Sequence, residues 1–184
     1  MRIICYLILQ KKLISGGLIG GGLSLLSTPT LPDLIYPKYY KKDHPLSNLK
    51  PGAILMCSLA FSAAEHTGIY LGDGNVAELK GSGEVRSINI YEFINSTEVR
   101  TGVSAFAACD INGNIFISKE ASKNAKSTLG DYREYNLDTN NCHKYTAGCL
   151  TGNFENVFVT FTLLESLIKV MFQSFFIRWR RIEE

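Results

Sequence analysis

Three histidines and five cysteines are the side chains of this 184-residue sequence best suited to nucleophilic or acid–base chemistry near neutral pH. His44 precedes Pro45, His66 opens the segment HTGIYLGDGNVAELKG, and His143 follows Cys142 in NNCHKYTAGCLTG. A thiol attacks as the thiolate, and a helix N-terminus with a neighbouring imidazolium is the arrangement that lowers its pKa. Asn140 or Asn141 can cap a helix whose first turn contains Cys142 and which Gly152 ends. Cys142 thus has the first condition by position, and His66 is the best candidate for the second. His143 ranks behind it, because adjacent helical side chains diverge by about 100° and do not face each other.

A third group depends on strand register. Side chains alternate along a strand, so His66, Gly68 and Tyr70 share one face while Thr67, Ile69 and Leu71 share the other. With a three-residue loop, Gly72-Asp73-Gly74, and a glycine bulge, residue 71 pairs with 75, 68 with 78 and 66 with 80. His66 and Glu78 are then diagonal neighbours on one face, within reach of long side chains. A two-residue Asp73-Gly74 turn pairs 69 with 78 and puts Glu78 on the opposite face, where it would decorate solvent beside Lys80 or Arg86. In that register the third group would come from Asn141 or a backbone carbonyl.

The elements that must position these residues form one domain with appendages, given a prior of about 100–200 residues per domain. Apolar residues make up 46% and charged residues 20%, which is ample for a packed core. With 19 Lys+Arg against 17 Asp+Glu the formal charge is +2, which excludes a dedicated nucleic-acid binder. The cysteines, at 5, 57, 109, 142 and 149, lack short metal-ligand spacing, so neither a metal site nor any cofactor is expected. Cys142 and Cys149 would stand two turns apart, about 10 Å of rise, too far for a disulfide. Cys57, Cys109 and Cys149 read as small buried hydrophobes. GSGEVRS at 81–87 lacks the Lys-Ser/Thr ending of a phosphate cradle and reads as a loop.

Four segments follow. Residues 1–35 are apolar and glycine-rich around Lys11 and Lys12, and three readings stand: an uncleaved anchor or interfacial segment, a cleaved signal, or a segment packed on the protein itself. Residues 36–48 form a tyrosine- and lysine-rich linker. Residues 49–153 carry a mixed α and β pattern, with strands in GAILMCSLA, around the hairpin, in EVRSINI and in SAFAACDI, and helices over SKEASKNAKSTLG and from Cys142. Residues 154–184 are expected as an apolar, interfacial or core-packed helix, with Glu165 and Lys169 in the favourable i,i+4 order on one face.

The two motifs HTGIYLGDGNVAEL and NNCHKYTAGCLTG, some sixty residues apart, resemble the lecithin:retinol acyltransferase-like family, especially its bacterial members. That family lies within the circularly permuted papain-like (NlpC-type) superfamily. The likeness runs from Leu49 to Asn153 and includes the Pro51-Gly52 turn and TLGDYREYNL. It implies an α+β fold, a small antiparallel sheet packed against helices that include the nucleophile helix. It also implies a thiol nucleophile at Cys142, a general base at His66 and a third polar group at Glu78, with Tyr70, Asn141 and His143 as substrate-binding neighbours. Animal members usually carry a second histidine where this chain has Glu78, and Asn-Cys-Glu-His-Phe where it has Asn141, Cys142, His143, Lys144 and Tyr145.

The reaction so implied is acyl transfer or lipid hydrolysis through a thioester. Its substrate would be a lipid or another acyl-bearing molecule. The apolar termini imply membrane association, at a bacterial cell membrane or envelope. A cysteine peptidase or amidase of the same superfamily, or an inactive binding module on the same fold, are the alternatives.

Overall fold

A computed structural model describes residues 39–59, 64–95 and 100–183. Its strands are β1 (Tyr39–Pro45), β2 (Ile54–Leu59), β3 (Ala64–Gly72), β4 (Asn75–Leu79), β5 (Val85–Asn89), β6 (Arg100–Cys109) and β7 (Arg178–Glu183). Its helices are α1 (Ile90–Asn95), α2 (Lys119–Ser127), α3 (Cys142–Thr151) and α4 (Phe161–Met171). The fold is α+β, as the mixed sequence pattern implies. One seven-stranded sheet runs in the order β1-β7-β6-β2-β3-β4-β5, antiparallel throughout except for β1 beside β7.

The central strands are covered on both faces. Ile54, Met56, Ile69 and Leu71 pack with Ala121 of α2, Tyr145 and Leu150 of α3, and Leu164 and Ile168 of α4. The alternate residues Leu55, Cys57, Tyr70 and Val76 pack on the other side with Phe93 of α1. Two-sided burial is why β2 reads ILMCSL, a near-continuous apolar run rather than an alternating one. Burying such a set removes about 1.5–3 kcal/mol of unfavourable exposure per large aliphatic side chain.

The hairpin combines features of both registers. Asp73 and Gly74 have φ of 51° and 75°, a two-residue turn of the type whose twist suits a hairpin. Gly72 pairs with Asn75, and the register then shifts between Tyr70 and Gly72, so that Tyr70 faces Val76 and Ile69 faces Ala77. The pairing of 71 with 75 is therefore replaced by 72 with 75. The bulge sits one residue into β3 and restores the offset that sets 68 opposite 78. Gly72, at φ 103°, is where the chain needs glycine.

The C-terminal stretch is not one helix. Thr160 caps α4 by accepting from Leu163 N, and after Met171 the chain turns into β7, which inserts between β1 and β6. Trp179 of β7 is fully buried and its indole donates to Glu165 Oε1 at 2.9 Å. Glu165 thus points inward, away from the surface pair that the Glu165–Lys169 spacing suggests, because a buried indole N–H needs an acceptor. Within the 36–48 linker, Tyr39–Pro45 forms β1, whose Tyr39 and Tyr40 lie beside Trp179 and Arg180. The readings of residues 1–35 fall outside the described residues. Among those described, no helix is long and apolar enough to cross a membrane.

Because β7 is an internal strand, Trp179→Ala should lower unfolding free energy by about 3–5 kcal/mol. Removing residues 154–184 should abolish cooperative folding altogether. Urea titration followed by far-UV circular dichroism checks both, and a truncated chain that still unfolds cooperatively would contradict this packing.

Candidate active site

The first turn of α3 is organised by Asn141. In extended backbone just before the helix, its Oδ1 accepts from His143 N at 3.0 Å and Lys144 N at 3.1 Å. Its Nδ2 donates to Leu137 O at 2.8 Å and Val159 O at 2.7 Å. One side chain therefore caps the helix and ties it to the segments before and after. Both ends of the Asn141 amide are thereby engaged within the protein. Gly152 closes the helix in the left-handed conformation, its N–H donating to Gly148 O.

A threonine pair pins this turn to the sheet. Thr67 Oγ1 donates to Cys142 O at 3.2 Å, and Thr146 Oγ1 donates to Thr67 Oγ1 at 3.1 Å. Thr67 follows His66 on β3 and Thr146 stands one turn after Cys142, so these two bonds fix α3 relative to β3. Gly68, the next residue, has no room for a side chain: a Cβ there would lie 2.6 Å from Ala77 O.

His66 and Glu78 converge. His66 Nε2 and Glu78 Oε2 are 2.7 Å apart, and both side chains are buried. Glu78 has no exposure, and its other oxygen accepts from Arg86 Nη2 at 2.7 Å and Nε at 2.9 Å. Arg86 faces Glu78 directly across the β4–β5 pair. A buried carboxylate is costly unless paired, and two cationic partners meet that condition. Sequence reasoning offers His66 and Arg86 as competing partners for Glu78, whereas here both bind it at once. With Nε2 engaged, His66 has Nδ1 left for the thiol.

Charge ties the groups together. Burial alone would push the Cys142 thiol up, but His143 and then His66 outweigh it and hold the thiol well below its ordinary range. Burial likewise opposes protonation of His66, yet Cys142, followed by Glu78, raises it to about 9. His143 is also raised, against its burial and chiefly by Cys142. Each neighbour thus favours the charged form of the other, a thiolate with imidazolium beside it. By contrast, burial pushes the Cys109 and Cys149 thiols up to about 12.

His143 departs from the expectation for adjacent helical residues. Its Nδ1 lies 4.0 Å from Cys142 Sγ and 3.2 Å from Thr67 Oγ1. Helical side chains lean toward the N-terminus, so a ring at the second position folds back over the first, where no earlier turn blocks it. Tyr70 is not brought to the thiol: it is buried in the face shared with Phe93, and its hydroxyl accepts from Gly74 N at 2.9 Å, bracing the hairpin turn. Thr67 and Thr146 are the members that sequence reasoning does not single out, and Arg86 enters it only as a surface partner of Glu78. The signal for Arg86 was its place opposite Glu78 once β4 and β5 are paired.

A comparison with curated proteins finds no match. A family model described as lecithin retinol acyltransferase matches residues 47–155, more than half of the chain, from just before β2 to just past α3. His66, Glu78, Arg86 and Cys142 all lie within the match. The chain that builds this buried thiol and imidazole centre belongs to the lecithin retinol acyltransferase family.

Proposed function

We propose that the protein is a membrane-associated cysteine acyltransferase or lipid hydrolase that works through a thioester on Cys142. The family suggests thiol-dependent acyl transfer or hydrolysis. The observation that carries the finer reading is the grouping of Cys142 at a helix start with His66, whose far nitrogen is held by the fully buried Glu78. A histidine strand that precedes a cysteine helix is also the order of a permuted papain-like enzyme.

The chemistry follows from the protonation states. The Cys142 thiolate attacks an ester or amide carbonyl, and the C–S bond forms as the carbonyl electrons move to oxygen. On collapse the C–O or C–N bond breaks and the leaving group takes the His66 proton. Neutral His66 then removes a proton from water or an acceptor, which attacks the thioester and releases the thiolate. Asn141 already occupies the His143 and Lys144 N–H groups, which leaves the Cys142 N–H as the first-turn donor for the oxyanion. Glu78 fixes the ring orientation of His66 and favours its protonated form, the work of the third member of a triad. His143 supplies a second positive edge beside the sulfur.

A lipid ester is the favoured substrate because the described domain continues from the site into exposed apolar residues of its C-terminal part, Val157, Leu163 and Val170 among them. Association with a bacterial membrane or envelope is part of the same reading. Amide cleavage would use the same steps, and a panel of phospholipids, acyl-amides and peptidoglycan peptides separates the two. Absence of turnover on all of them, with no acyl adduct on Cys142, would leave only a binding module.

Limiting iodoacetamide at neutral pH should modify Cys142 first, mapped by peptide mass spectrometry. Preferential labelling of Cys57 or Cys109 would overturn the nucleophile assignment.

Rate should also report the imidazolium. Thiolate with protonated His66 is the competent form, so kcat/KM should hold through neutrality and fall as pH rises through about 9, where His66 loses its proton. Glu78→Gln removes a negative neighbour, so this alkaline limb should move to lower pH with a loss of roughly tenfold, against loss to background in Cys142→Ala. An unmoved alkaline limb in Glu78→Gln would show that the carboxylate does not act through His66.

A further inference from the structure

The segment after α4 holds large aromatic groups out in water by design of its backbone. Phe175 is 91% exposed and Phe176 53%. They are not on a frayed end: Ser174 N donates to Lys169 O at 2.9 Å, Gln173 N donates to Val170 O, and Ser174 Oγ donates to Phe176 O at 2.8 Å. Gln173 adopts φ 51°, the left-handed conformation that turns the chain out of the helix. An ordered turn that presents two phenyl rings exposes apolar surface that solubility alone would not keep.

Exposed apolar groups also precede the rings along the chain, from the segment held by Asn141 through α4. Val159 O is held by the cap residue Asn141, Val157 nearby is exposed, and Leu163 and Val170 are seven residues apart, two turns along one face of α4. Lys169 lines a shallow apolar groove with Val170 and Phe175, and Arg178 opens β7 just beyond the rings. Neither Lys169 nor Arg178 has an ion-pair partner among the described residues, whereas the nearby Glu165 is buried on Trp179.

We propose that this turn is a membrane-docking element: Phe175 and Phe176 enter the headgroup boundary of an anionic bilayer while Lys169 and Arg178 meet its phosphates. The proposal rests on the lipid reading of the active site and specifies which face meets the lipid. Apolar rings flanked by cations that have no ion-pair partner among the described residues are complementary to such a surface. A second copy of the chain fits less well, because a two-fold contact would set Lys169 and Arg178 against their own images.

The full chain carrying Phe175→Trp tests this with vesicles of phosphatidylcholine and phosphatidylglycerol, some with brominated acyl chains. Trp179, the sole tryptophan of the sequence, is fully buried and provides the baseline in the unaltered protein. Emission from the substituted position should shift to the blue and be quenched by brominated lipid. Lys169→Glu and Arg178→Glu should each weaken binding at least about fivefold, and raised salt should do the same. Turnover of a soluble short-chain ester should remain at the unaltered level in these variants, since none of them touches Cys142. No quenching at lipid concentrations that bind the chain, or no binding to anionic vesicles, would overturn the proposal. So would a blue shift that grows with protein concentration without lipid, which would mark a second copy as the occupant. Loss of docking with soluble turnover intact leaves the thioester reading standing, whereas failure to label Cys142 removes that reading instead.

Discussion

A carboxylate without solvent contact, held between an imidazole and a guanidinium, sets the conditions for everything around it. Glu78 would be intolerable at its depth as a lone anion. Its position obliges Arg86 to stand opposite on β5 and His66 to turn one ring nitrogen toward it. The bulge near Gly72 matters for the same reason, since without it the carboxylate would be on the other face of the hairpin. Arg86 retains some exposure, so the ion triad runs from the interior to the surface and can settle its charge against solvent.

The opposite end of that chain of charge is the sulfur. Cys142 lies at the positive end of α3, next to two imidazoles, and the helix itself is stapled to β3 by Thr67 and Thr146. Small polar groups fix distances here, while the larger charged groups fix protonation. Positioning and activation are therefore carried by different residues, and damage to one need not resemble damage to the other.

Much of the site was legible in the sequence because its determinants are local. A cap residue before Cys142 and the alternation along HTGIYL follow from backbone geometry over a few residues. The exact form of the hairpin was less so, since a two-residue turn plus a bulge reaches the same offset as a three-residue loop. For His143, mid-helix geometry does not carry over to a first turn, where the ring reaches back toward Cys142. Thr67 and Thr146 look like ordinary strand and helix residues, and only the docking of α3 on β3 makes them partners. The pairing of β1 with β7 joins segments at opposite ends of the described chain, and RWRRIE carries too much charge to announce an internal strand. Its one decisive residue, Trp179, gains meaning only against Glu165.

That pairing bears on how the protein is made. β7 separates β1 from the rest of the sheet, so the hydrophobic layer cannot close until Glu183 has cleared the ribosomal tunnel. Domains generally fold as units during or after synthesis, and this one has to wait for β7. Ile177 and Trp179 share one core cluster with Tyr145 and Leu150, so on a growing chain the helix that begins at Cys142 lacks part of the packing that supports it in the finished fold.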